Sequence, residues 1–193
     1  MTDMLPMTIY CAVMSITPGP NNMLLTASGA NFGYRGTLPQ IGGILVGGFV
    51  MTAASCLGLG ALFVAWPPAQ SALRIVGALY LAWIAWRLCG ARLGEAGVRE
   101  PLSFTEGALF QAVNPKGWLK AVTLGSAFMP PGLDPAVAAM LVSLVGLVVG
   151  FPCVSVWALF GVAIRRFLHD PAHLRAFNLA MAATLVVLAV MLL

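Results

Sequence analysis

An ammonium group in the middle of an apolar stretch is the sharpest chemical feature of this sequence. Lys116 lies in the cluster Asn114-Pro115-Lys116-Gly117-Trp118, set inside a hydrophobic run. It stands about ten residues from the entry, roughly 15 Å at about 1.5 Å per residue, which is too deep for easy snorkelling. A charge so placed is costly, and it marks a pathway or a counter-charge for a bound anion. Lys120 follows one helical turn later on the same face, within reach of the same cavity or of the far interface. On the sequence the Lys116 ammonium has no protein counter-charge, so Lys116→Met is expected to fold normally and to lose ligand.

The residues around the lysine say how the backbone is arranged. Asn is a strong N-cap and Pro is favoured at the first helical position, so Asn114-Pro115 reads as the start of a new half-helix within the apolar run. In the cluster Thr17-Pro18-Gly19-Pro20-Asn21-Asn22, either Thr17-Pro18 or Gly19-Pro20 offers the same start about half a chain earlier. Half-helix N-termini present free N–H groups and the positive end of a dipole, a natural seat for a carboxylate. The candidate ligand-binding residues are therefore Pro18, Gly19, Pro20, Asn21, Asn22, Asn114, Pro115, Lys116 and Lys120, and the expected ligand is anionic or zwitterionic. A kink stabilised by a neighbouring helix is the structural alternative for either proline cluster taken alone.

Other chemistries find no constellation. No Asp or Glu falls inside an apolar segment: Glu106 stands at the mouth of one, Asp134 in a loop and Asp3 at the start of the chain. If a proton moves with the ligand, Lys116, Glu106 or the ligand's own groups must carry it. His169 and His173 flank Asp170-Pro171 in a charged loop and read as solvated residues rather than metal ligands. Cys11, Cys56, Cys89 and Cys153 are scattered through apolar segments as small core residues. No nucleophile with its base, phosphate loop or metal cluster can be assembled, so no cofactor or metal is expected and an intramembrane enzyme ranks last.

These residues are positioned by a chain that is 60% hydrophobic and 8% charged, with a mean hydropathy of +0.94. Soluble domains carry about 25% charged residues, so the expectation is an all-α integral membrane protein. The 193 residues suffice for six transmembrane helices of roughly 20 residues each. Span 1 is placed at Leu5 to Ala30, span 2 at Pro39 to Ala65, span 3 at Ser71 to Leu88, span 4 at Thr105 to Met129, span 5 at Ala136 to Ile164 and span 6 at Ala172 to Leu193. Trp66-Pro67-Pro68 is read as the end of span 2.

One membrane domain over residues 1–193 is expected, with a first repeat over 1–89, a linking loop over 90–104 and a second repeat over 105–193. Arg35 follows span 1, Arg87, Arg92 and Arg99 follow span 3, and Arg165, Arg166 and Arg175 follow span 5, against Arg74 alone on the opposite side. By the positive-inside rule these three loops are cytoplasmic and both termini face outward. Three helices per half then force the halves into opposite orientations. Gly43 and Gly47 in span 2 and Gly146 and Gly150 in span 5 form matching Gly-x-x-x-Gly pairs, read as helix-packing positions. Paired interruptions in spans 1 and 4 of such an inverted repeat point to a substrate site at the bilayer midplane. The +4 net charge is spread over loops and helix ends, which speaks against nucleic acid as a partner.

Taken together, Ile16-Thr17-Pro18-Gly19-Pro20-Asn21-Asn22, Gly33-Tyr34-Arg35-Gly36, the Gly43 and Gly47 pair, Gly77-Ala78-Leu79-Tyr80-Leu81 and Asn114-Pro115-Lys116 resemble the LysE/RhtB family of amino-acid exporters, from about residue 5 to the C-terminus. The resemblance implies efflux of amino acids or their derivatives across the bacterial inner membrane, with the Pro-Gly-Pro and Asn-Pro-Lys motifs at the substrate site. Many members carry an acidic residue or a histidine after the glycine pair, where this chain reads Gly48-Phe49-Val50-Met51. In that it is similar to the branch of cysteine and O-acetylserine exporters, and a small neutral amino acid or derivative is the expected cargo. The absence of a nucleotide-binding motif points to gradient coupling. A passive channel or lipid-handling membrane protein is the alternative, with lipid as surrounding partner; proton coupling and a homodimer stay open.

Overall fold

The computed structural model describes residues 4–59, 65–89, 101–165 and 167–192, and every regular element among them is helical. In chain order these are α1 (Met4–Ile16), α2 (Pro20–Cys56), α3 (Pro67–Cys89), α4 (Phe104–Val113), α5 (Pro115–Ala127), α6 (Pro135–Ile164) and α7 (Pro171–Leu192), with a 3-10 turn at Phe167–His169 before α7.

Local chemistry sets the boundaries. α1 stops where Pro18 removes an N–H, and both the Thr17 N–H and its hydroxyl fold back onto the Val13 carbonyl, at 3.1 and 2.7 Å. α2 begins with Pro20 at its first position. Gly33 then interrupts α2 with φ 76° and ψ 171°, a backbone region open in practice only to glycine. α2 is thus two arms, residues 20–32 and 34–56, that change direction at Gly33. Ser103 and Glu106 form a capping box at the start of α4, with Ser103 N–H donating to Glu106 Oε2 at 2.8 Å and Glu106 N–H donating to Ser103 Oγ at 3.2 Å. Asp134 Oδ1 caps α6 by accepting from the N–H groups of Ala136 and Val137.

Span 1 therefore appears as α1 plus residues 20–32, and span 4 as α4 plus α5, each broken at its polar cluster. Span 2 is shifted: its helix starts at residue 34, because Gly33 makes the turn and Pro39 is accommodated inside the arm. It ends at Cys56, with Gly58 at φ 104° behind it. Residue 65 is helical and Trp66 is not, so Trp66-Pro67-Pro68 does stand at a helix end, and Pro67 also opens α3, where a proline gives up no intrahelical bond; residues 60–64 lie outside the described residues. Residues 90–100 of the expected linking loop lie outside the described residues.

The broken segments are held by the long helices of the other half of the chain. α1 and residues 20–32 lie along α6, which the second arm of α2 also meets through Tyr34, Ile41 and Ile44, and α4 and α5 lie along residues 34–56. Glycines let these backbones touch. A Cβ on Gly29 would stand 2.1 Å from the Ala158 carbonyl oxygen, and one on Gly161 the same distance from that of Thr26. On the other side a Cβ on Gly43 would stand 2.0 Å from the Phe104 oxygen, and one on Gly107 2.7 Å from that of Gln40. α3 and α7 pair outside this crossing, with Leu81, Ile84 and Ala85 packed on Ala182, Leu185 and Ala189 around Leu24 and Phe110. Large apolar side chains such as Val148, Phe160, Val187 and Val190 are exposed on the outside of the bundle. α2 and α6 are each long and apolar enough to cross a membrane.

Candidate functional site

Breaking a helix in an apolar surrounding strands backbone carbonyls, and the first break shows where each of them goes. Asn22 Nδ2 donates to Ser15 O at 2.9 Å and to Thr17 O at 2.7 Å. Trp157 Nε1, from α6, donates to Ile16 O at 2.9 Å. Lys116 Nζ, from α5, donates to Thr17 O at 2.6 Å, to Thr17 Oγ1 at 2.8 Å and to Pro18 O at 3.1 Å. The Gly19 carbonyl accepts from Met23 N–H as the new helix begins. Gly19 also makes room for the lysine, because a Cβ there would stand 3.0 Å from Lys116 Cδ.

The half-buried Lys116 ammonium is therefore not unpaired. Its three hydrogens meet three oxygens at the C-terminal end of α1, where the helix dipole favours a cation. This overturns the expectation that Lys116→Met is harmless to the fold, and it makes Lys116 a tie between the two breaks.

At the second break Asn114 is the N-cap of α5, its Oδ1 accepting from Lys116 N–H at 3.1 Å, with Pro115 at the first helical position. Trp118 Nε1 reaches back to Ala112 O at 2.7 Å, so here too an indole satisfies a carbonyl at the end of the upstream half-helix. Gln111 joins the breaks a second time: its Oε1 accepts from Asn21 Nδ2 at 2.7 Å and makes a longer contact of 3.5 Å with Asn114 Nδ2. Gly117 leaves the space for that amide, since a Cβ on it would stand 2.6 Å from Gln111 Nε2.

Between the breaks lies a cavity of about 70 Å³, walled by α1, both arms of α2, α4, α5 and α6. Gly19, Pro20, Asn21, Asn22, Asn114, Lys116 and Lys120 all line it. Lys120 Nζ donates to Ser15 Oγ at 3.0 Å across the cavity wall. Ser15, Thr52 and Ser143 add hydroxyls, and Leu45, Phe49, Leu147 and Val154 supply apolar surface. No Asp or Glu is among the residues lining it. Of the candidate residues only Pro18 and Pro115 stand outside the wall, acting through the backbone: Pro18 by its carbonyl to Lys116, Pro115 by starting α5.

Residues 12–193 match the family model of the LysE type translocator. The chain belongs to that family. It is 31% identical over 183 residues, 94% of this chain and 92% of the relative, to the cysteine/O-acetylserine efflux protein of Escherichia coli strain K12. The efflux proteins of the same name in Shigella flexneri and Shigella sonnei match to the same extent. No solved structure matches the chain. The two helix breaks thus belong to a membrane translocator.

In this translocator the two glycine pairs differ. Gly43 and Gly47 meet backbone, with Gly47 3.0 Å in Cβ position from the Ala108 oxygen, whereas Gly146 and Gly150 meet side chains and line the cavity. The first pair lets α4 close on α2, and the second keeps space open. His173 stacks on Phe167 with ring centroids 4.5 Å apart, away from the breaks. Tyr80 packs against Trp83 and Phe110. Thr17, read in the sequence only as part of a helix start, is a partner of Lys116; Gln111, Ser15 and Ser143 are the site residues that sequence reasoning missed. Only Gln111 carried a signal, an amide in an apolar segment one turn before Asn114.

Proposed function

We propose that the translocator is a secondary exporter of small, neutral amino acids or their derivatives across the bacterial inner membrane, and that its cargo occupies the cavity between the two helix breaks. The observation that carries this reading is the meeting of Pro18-Gly19-Pro20-Asn21-Asn22 with Asn114-Pro115-Lys116 and Lys120 around one small cavity, from breaks about half a chain apart. Discontinuous helices meeting in this way offer helix ends and amides to a zwitterion where the bilayer offers nothing. The relatives named as cysteine/O-acetylserine efflux proteins support the cargo class, as does the size of the cavity.

The crossed packing supports a pair of inverted three-helix repeats: each broken segment lies along the long helix of the opposite half. Rocking one such pair against the other would open the cavity to alternate sides without unmaking either helix break. Counterflow tests the reading. Proteoliposomes loaded with unlabelled L-cysteine or O-acetyl-L-serine are expected to accumulate the labelled compound transiently above equilibrium, as a carrier requires. Uptake that proceeds without trans-stimulation would mean a passive pore and would sink the proposal.

A further inference from the structure

The two lysines of the cavity are not equivalent. Lys116 Nζ has all three hydrogens engaged by Thr17 O, Thr17 Oγ1 and Pro18 O. Among the described residues Lys120 Nζ has one partner, the Ser15 hydroxyl, which leaves two hydrogens for a ligand. The two half-helix starts differ in the same sense. α5 is capped by Asn114 Oδ1, but α2 starts at Pro20 behind Gly19, which offers no side-chain cap, so the N–H groups of Asn21 and Asn22 have no acceptor among the described residues. Two buried oxygens of residues lining the cavity are also without a hydrogen-bond partner among the described residues: Asn21 Oδ1 and Ser143 Oγ, the latter on a residue 1% exposed.

We infer that Lys120 and the uncapped start of α2 bind the α-carboxylate of the cargo, that Asn21 Oδ1 and Ser143 Oγ accept its α-ammonium, and that Lys116 is a structural tie. This rests on the reading of the cavity as the cargo site. The two charged groups of an α-amino acid sit on one carbon, so their receptors must be neighbours, and Asn21 presents a donor from its backbone and an acceptor from its side chain at a single residue. Donation from Asn21 Nδ2 to Gln111 Oε1 holds the amide so that Oδ1 is the atom left over. The charge balance then sets the substrate class. With two ammonium groups in the wall and no carboxylate, the site has no counter-charge for a second cation such as that of lysine, so it takes an α-amino carboxylate without a basic side chain.

The test separates this assignment from the exporter reading. With the full chain in proteoliposomes, exchange of labelled L-cysteine should be inhibited by unlabelled L-cysteine at least about tenfold better than by L-cysteinamide or L-lysine, the value expected for a hydrogen bond to a charged group. K120M should lose about tenfold or more in apparent affinity for L-cysteine and cease to distinguish acid from amide, and K120R should restore part of the difference. K116M should keep the acid-to-amide ratio even where total exchange falls. A K120M protein that still prefers the acid overturns the assignment. Should the wild type exchange no cysteine, thermal stabilisation of the purified protein by the same compounds decides. An acid preference lost in K120M upholds the assignment while the exporter reading falls, and equal responses of the wild type and K120M overturn it.

Discussion

Lys116 shows how a membrane-embedded charge can belong to the scaffold. Its ammonium satisfies carbonyls that Pro18 and the end of α1 would otherwise leave bare, and the Pro18 carbonyl has no other donor among the described residues. Lys116→Met should therefore lower stability by about 2 kcal/mol, the scale of a hydrogen bond to a charged group with its orphaned partner. A drop in the melting midpoint of the detergent-purified variant checks this, and an unchanged midpoint would return Lys116 to the role of a free counter-charge. The lysine's importance was legible in the sequence because a charge deep in an apolar run stands out. Its partners were not, since Thr17 lies 99 residues away and nothing local encodes which break faces which. Ser143 was invisible for a related reason: a lone serine in an apolar helix carries no signal until the fold brings it to a cavity.

At the scale of elements, both helix breaks were legible because Pro and Asn act on their own backbone within one turn. The shifted start of span 2 was not, because the sequence sets Gly33 in a loop between Ala30 and Pro39 without showing that this one glycine, at φ 76°, makes the turn alone, and Pro39 suggested a later beginning. Close helix contacts were half legible. Gly43 and Gly47 do bring backbones together, yet the tightest approaches of the first broken segment use Gly29 and Gly161, which form no pair in sequence. Their consequences should differ from those of the second glycine pair. A methyl on Gly29 would meet the Ala158 oxygen at 2.1 Å, and neither backbone can yield without separating α2 from α6. At Gly146 the nearest atom, Leu124 Cδ1, is 3.9 Å away. Gly29→Ala is expected to lose several kcal/mol, as overpacking against backbone does at the upper end of its range, and to yield little folded protein, whereas Gly146→Ala should melt within about 0.5 kcal/mol of the wild type. Size-exclusion profiles of the two variants would show the contrast, and a well-behaved Gly29→Ala would mean the crossing is looser than it stands.

For the whole molecule, the positions of Gly33 and Arg165 put the turn after the first broken segment and the end of α6 at one end of the bundle, with Arg165 Nη1 3.8 Å from a Cβ on Gly33. The basic loop residues Arg35 and Arg165 therefore share a side, and by the positive-inside rule we propose that it is the cytoplasmic one. In a cysteine-free background, Arg35→Cys and Arg165→Cys should react with an impermeant maleimide only after the membrane is opened, and Asp134→Cys should react in intact cells. The reverse pattern would turn the whole topology over. One feature of the breaks also gives the protein its own optical reporter. Of its five tryptophans, Trp118 and Trp157 each have the indole nitrogen bonded to a carbonyl at the end of an upstream half-helix, one at each break. Both bonds lie within one of the two packed pairs, so the indoles should keep their emission while the pairs rock, and a spectral shift in unlabelled protein, with Trp66, Trp83 and Trp86 replaced by phenylalanine, would report that a helix break itself has come apart.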